Sequence, residues 1–267
     1  MEQREIEFIA EQEWKRELEW REDPKNAKGM HFADRLFHDL NELGYDIRWG
    51  FSMQPAVFNG DNRIFPICKK YIEEAGDDPE LQGCVAMTVG ILGHRKMRIA
   101  TEYLLKKYRE ALAKNASFHI LNTYGDTIYK IRDERYIKDY IELIDPKTIH
   151  VMSSFFIDLL GKLKVHEVED VLIALVDHRS APDASQNLES YYFLGYNLTV
   201  SESAIKALGL LKCKKAIPAI EKYLHPETLP GFFPNDKRRK SYITEFRNLA
   251  RKTIERINRE IKNDRPV

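Results

Sequence analysis

Four stretches of this chain share one ordered pattern: an apolar helix closing on leucine or isoleucine, about four polar residues, then a second amphipathic helix. They read VGILGHRKMRIATEYL, IYKIRDERYIKDYI, LGKLKVHEVEDVLI and LGLLKCKKAIPAIEKYL. Their closing residues are Leu92, Ile131, Leu163 and Leu211, spaced by 39, 32 and 48. A helix pair of this size cannot bury both apolar faces alone, so it is stable only when stacked on copies of itself. The shortest spacing is close to the minimum for two helices and two turns, and the longer ones read as that unit plus insertions. Gly93, Gly161 and Gly209 fall near the closing residues. Small residues there let successive helices approach, although a glycine within a helix costs up to about 1 kcal/mol.

The stretch from Leu208 to Leu224 closely resembles a HEAT-like repeat of the bacterial, bilin-lyase (PBS-lyase) type, with Pro218 in the first turn of the second helix. Proline fits there because the first-turn amide has no partner within the helix. Upstream, RIFPICKKYIEEA and DDPELQGCVAMTVGILG repeat the order in weaker form, with Pro66 near one helix start and Asp77-Asp78-Pro79 as a capping and turn signal. Downstream, SYITEFRNLARKTIERI reads as a closing helix. The resemblance covers residues 63–262. It implies an all-α fold, a right-handed α-α superhelix of about five helix pairs, with residues 63–267 as one continuous array.

Residues 1–62 fit the pattern less well and are read as an N-terminal helical cap and linker. Residues 3–22 form a charged helix with Ile6, Ala10, Trp14 and Leu18 along one face, and residues 30–43 a second one stopped by Gly44. The linker that follows carries Trp49, Phe51 and Phe58, aromatics suited to plugging the end of a core. No apolar run approaches the ~20 residues that span a bilayer, so no membrane partner is expected. The amino terminus is charged from residue 2 and does not read as a signal peptide. Three widely spaced cysteines without a CxxC argue against a disulfide framework and for a reducing, cytoplasmic setting.

Lysine and arginine number 42, as do aspartate and glutamate, which excludes a uniformly basic nucleic-acid binder. The balance is nonetheless polar along the chain: residues 1–23 sum to −5 and residues 235–267 to +6. Such ends suit solvated caps, binding of acidic partners at one end, or self-association head to tail.

Catalytic signatures are scarce. There is no phosphate loop, nucleophile elbow or HExxH pair. One family of helical-repeat enzymes binds iron through His-Glu pairs recurring over several repeats. Here His166-Glu167 aligns with Arg95-Lys96, Glu134-Arg135 and Lys214-Lys215, and a single pair makes no such site. Helical-repeat glycosylases that excise alkylated bases use aromatic, acidic and arginine side chains. Tyr136, Tyr140 and Tyr223, however, lie on apolar stripes and read as core. No metal and no cofactor is expected.

Two insertions, at 177–201 and 224–241, follow second helices and place Tyr191, Tyr192, Tyr196, Phe232 and Phe233 beside Lys237, Arg238, Arg239 and Lys240. Helical phase adds Arg98, Glu102, Arg135, Lys138, Asp139, Glu169 and Asp170 as outward polar positions on the concave face that the second helices are expected to form. Together these residues are the candidate binding surface of a non-catalytic scaffold for a protein partner. The alternatives are nucleic-acid binding through the basic C-terminal helix and residues 229–240, and a helical-repeat enzyme such as a glycosylase or a lyase-like subunit.

Overall fold

The computed structural model describes Gln12 and residues 15–16, 18–48, 55–178, 199–225, 229 and 239–259. Every regular element among them is helical, with no strand. By its contacts the chain divides into two compact units, residues 1–133 and 134–267.

The first unit opens with α1 (Ala27–Asn41), whose buried side, Gly29, Phe32, Ala33, Leu36, Phe37 and Leu40, has the spacing of one helical stripe. Gly44, at φ +94°, closes the turn that follows. After a single helical turn at Pro55–Phe58 come α2 (Ile64–Ala75), α3 (Gln82–Gly90), α4 (Thr101–Ala113) and α5 (Phe118–Ile131). Asp78 caps the turn leading into α3 by accepting the Glu80 amide at 3.0 Å, as its Asp-Asp-Pro signal predicts. Ser117 does the same for α5 through Ile120 N–H. α2 packs against α1 and α3, and α5 lies against both α3 and α4. Phe58, of the aromatic linker, is buried against Tyr45 at 4.8 Å between ring centroids, while Trp49 and Phe51 lie outside the described residues. Gly60 combines φ +68° with close approach: a Cβ there would lie 2.5 Å from both His94 Nδ1 and Lys96 Cβ. No other residue fits both demands.

The second unit runs α6 (Ile137–Glu142), α7 (Ser154–Lys162), α8 (Glu169–Leu175), α9 (Thr199–Leu211), α10 (Ile217–Glu221) and α11 (Arg239–Asn258). The first helices α7, α9 and α11 lie side by side, and the short second helices α6, α8 and α10 each pack on the first helix that follows. Pro218 occupies the first turn of α10. A Cβ on Gly161 would fall 2.8 Å from the Ala207 backbone, and one on Gly209 2.9 Å from Thr253 Cγ2. Glycine here sets the α7–α9 and α9–α11 separations.

The turns after Ile131, Leu163 and Leu211 are built alike. Arg132, Lys164 and Lys212 sit in the left-handed region at φ +56°, +61° and +57°. Val165 N–H then donates to Leu160 O and Cys213 N–H to Leu208 O, each at 3.1 Å. A three-residue 3₁₀ turn follows each time, at Glu134–Tyr136, His166–Val168 and Lys214–Ala216, and leads into a short α-helix. The left-handed residues are 32 and 48 apart, the intervals read from the sequence for the last three segments. A non-glycine residue there costs about 1–2 kcal/mol, so tertiary packing holds the turn.

Three second helices, and the 3₁₀ turn Lys222–Leu224 that follows α10, each bury one tyrosine completely: Tyr71, Tyr108, Tyr140 and Tyr223. Tyr71 meets Phe32 edge-on at 5.3 Å, and Tyr140 stacks on Phe156 at 5.8 Å. Tyr140 and Tyr223 are therefore core, as their phase predicts, whereas Tyr136 is half-buried beneath Arg135.

Two glycine substitutions separate packing from propensity. Gly161→Ala, which drives a methyl into the Ala207 backbone, should lower unfolding stability by about 1–3 kcal/mol. Gly83→Ala, at an exposed helical position with nothing within 4 Å, should raise it by up to about 1 kcal/mol. Denaturant melts of the two variants check both signs.

Candidate functional site

In the second unit, α9 and α11 leave a groove of 660 Å³ along their outer side. Its floor is Gly209, Leu210, Leu249 and Thr253, and its rim carries Lys206, Lys252, Arg256 and Arg259 with Glu255. The cations project because they fall on the helix sides opposite the buried Ile205, Leu208, Phe246, Ala250 and Ile257. Lys206 pairs with Glu202 at 2.6 Å and Arg259 reaches Glu255 at 3.9 Å. Lys252 and Arg256 are exposed with no ion pair among the described residues. Lys164 donates to the Leu210 carbonyl, where burial and the neighbouring Arg256 and Lys212 push its ammonium below the usual lysine range. Cations of α9, α11 and two turns thus share one electropositive face over an apolar strip.

A second cleft, of 490 Å³, lies in the first unit over Ile72, Val85, Ile120 and Tyr124. Its lining includes matched charges, Lys114–Asp77 at 2.5 Å and Lys107–Glu110 at 3.2 Å. Those pairs leave it without charge selectivity.

The remaining polar clusters stitch elements together. Glu169 accepts from His166 Nδ1 at 2.8 Å, from Cys213 Sγ at 3.3 Å and from Lys215 at 3.5 Å, while Lys215 also reaches Asp170 at 2.9 Å. Burial alone would push Glu169 up, but these three donors outweigh it and hold the carboxyl below its ordinary value. Burial, then the Glu169 acceptor, push the Cys213 thiol up to about 11. A thiol held protonated in this way is a hydrogen-bond donor, not a nucleophile. Asp39 accepts from Lys70 at 2.9 Å and Tyr71 at 3.0 Å. Asp177 repeats the arrangement, accepting from Lys222 and from Tyr223 at 2.8 Å.

Of the surface expected from sequence, Arg98, Glu102, Arg135, Lys138 and Asp170 are exposed, and Asp139 and Glu169 half-buried. Glu169 and Asp170 belong to the cluster around Lys215. Lys240 is exposed at the start of α11, which also includes Arg239. Tyr191, Tyr192, Tyr196, Phe232, Phe233, Lys237 and Arg238 lie outside the described residues. His166 pairs with Glu169, three residues on, and not with Glu167. His94 and His150 accept backbone amides at Lys96 and Met152, the work of turn caps. Among the described residues no group of three His, Cys, Asp or Glu side chains could hold a metal. Among them, too, no helix is long and apolar enough to cross a membrane.

Comparisons with protein families, with curated proteins and with solved structures found no match. The surface itself must carry the reading. The groove leaves no mark in the sequence because Lys206 and Arg256 come together only when α9 and α11 pair. The signal that could have found them is the run of cations down one side of α11.

Asp158 of α7 lies beside this face, accepting from the Ser203 hydroxyl with Lys206 nearby. Burial raises its carboxyl above the ordinary aspartate range despite both. The unfolded chain therefore ionises first, and stability falls as pH rises from the ordinary aspartate value through the raised one. Asp158→Asn should be more stable than the parent at neutral pH, with the difference closing in acid. Thermal melts across that range test the sign.

Proposed function

We propose that this chain is a HEAT-like repeat protein, a right-handed α-solenoid with an N-terminal helical cap, acting without catalysis as a scaffold for another protein. The observation that carries the reading is the recurring unit: first helix, left-handed Arg132, Lys164 or Lys212, 3₁₀ turn and short second helix, at intervals of 32 and 48. A unit of this kind is built to stack, and stacking generates extended faces of parallel helices that suit another polypeptide. The small side chains at Gly161 and Gly209 and the acid-to-Lys-Tyr stitches serve that stacking. On the first unit Arg98 and Glu102 flank Ile99, which is 54% exposed, so one exposed patch combines charge with an apolar contact.

The test is affinity capture with the full chain and two surface variants, Arg98→Glu with Ile99→Asp, and Lys138→Glu with Arg135→Glu. The intact chain should retain a protein in stoichiometric amount. At least one variant should weaken that complex by about tenfold or more, as loss of a central contact does. Absence of any stoichiometric protein partner, or equal retention by both variants, overturns the assignment of these faces.

A further inference from the structure

The α9–α11 groove has two properties at once, and together they narrow what can lie in it. Its rim is basic through Lys206, Lys252, Arg256 and Arg259, and its floor is aliphatic through Leu210 and Leu249. Phosphate chains use cations but gain nothing from an aliphatic floor, and bases are held by aromatic rings, of which the lining has none. An acidic amphipathic helix uses both properties: apolar side chains seat on the leucines while carboxylates meet the rim. Its lining on α11 runs from Leu249 to Arg259, about 15 Å of helix.

The chain's own sequence offers a segment with this pattern. Residues 3–22 place Ile6, Ala10, Trp14 and Leu18 at intervals of four, and residues 1–23 carry nine acidic against four basic side chains. A helix from Ile6 to Leu18 is about 18 Å long, close to the length of the groove lining. At the described end of this segment, residues 18–22 are helical. Trp20 packs toward Gly29, and Arg21 pairs with Asp34 at 2.8 Å. Leu18 is left 39% exposed, one of the few large hydrophobic side chains so exposed among the described residues. The charges are complementary, −5 for the first 23 residues against +6 for the last 33.

We propose that the α9–α11 groove of one copy receives residues 3–22 of a second copy, joining molecules head to tail. The inference rests on charge and shape alone and stands independently of the repeat reading. The Ile6–Leu18 stripe lies on Leu210 and Leu249, and Glu13 and Glu17, one position before Trp14 and Leu18, face the rim. Because rim charges stay near solvent, the association weakens as salt rises. A heterologous contact of this kind either closes into a ring or remains open-ended, so its strength governs assembly size.

The test is sedimentation velocity of the full chain over a wide concentration range at low and high salt, with a short mixed-sequence oligonucleotide added in a parallel series. The native chain should gain mass with concentration at low salt and lose it at high salt. Lys252→Glu with Arg256→Glu should weaken self-association by at least about tenfold, as should Glu13→Lys with Glu17→Lys, each with an unchanged far-ultraviolet spectrum. Joining all four reversals in one chain should restore self-association, because its reversed segment then suits its reversed groove. Damage to folding cannot produce that rescue. A native chain that stays monomeric at every concentration in low salt overturns the proposal. So does association that survives either reversal, or a fourfold variant that stays dissociated. Oligonucleotide binding abolished by the groove reversal, without self-association, overturns it in favour of a nucleic-acid surface.

Discussion

How closely the first helices can approach governs the rest of residues 134–267. Gly161 faces the Ala207 backbone and Gly209 faces Thr253, in each case at a distance that leaves no room for a methyl group. Side chains of ordinary size hold helices 8–10 Å apart, and small residues bring the axes to the near side of that range. Closeness does two things. It buries Leu159, Leu160, Ile205 and Leu208 completely, and it brings α9 and α11 near enough for their outer residues to form one groove. The same contact therefore supplies both the core and the surface proposed to bind.

The second helices are tied differently. They are short, from five to seven residues in the second unit, and too brief to be stable by propensity. Fully buried Tyr140 anchors α6 and fully buried Tyr223 anchors the 3₁₀ turn after α10, and polar contacts fasten the edge: Tyr223 to Asp177, and Lys215 to Glu169 and Asp170. Exposed ion pairs alone are worth little, about 0–1 kcal/mol. The partly buried Glu169, with three donors, is the firmer attachment.

Much of the local architecture was legible in the sequence, for a physical reason: stacking imposes the same pattern repeatedly. Ile131, Leu163 and Leu211 each end a first helix, and Pro218 and the Asp77-Asp78-Pro79 signal stand at helix starts. Tyr140 and Tyr223 followed from stripe position, and the apolar spacing within residues 30–43 marks α1. The groove was not legible, although the basic character of the last helix was. Lys206 and Lys252 are 46 residues apart, and only the pairing of α9 with α11 brings them to one rim. The Cys213–Glu169 hydrogen bond, across 44 residues, likewise leaves no local trace. Composition and phase mark which side of a helix is wet. They do not mark which wet sides meet.

The Lys164 side chain has a wider consequence. It leaves a strained turn and donates to the Leu210 carbonyl in the last turn of α9, where main-chain acceptors have no partner within the helix. The turn after α7 thereby helps to complete the end of α9. Coupling of that sort turns a row of marginal units into a block that melts together. A cut between α8 and α9 would remove more than the contacts it crosses: it would leave α9 frayed at its far end and Lys164 holding its strained turn with nothing gained. The end of α9 thus depends on a side chain presented by the turn after α7.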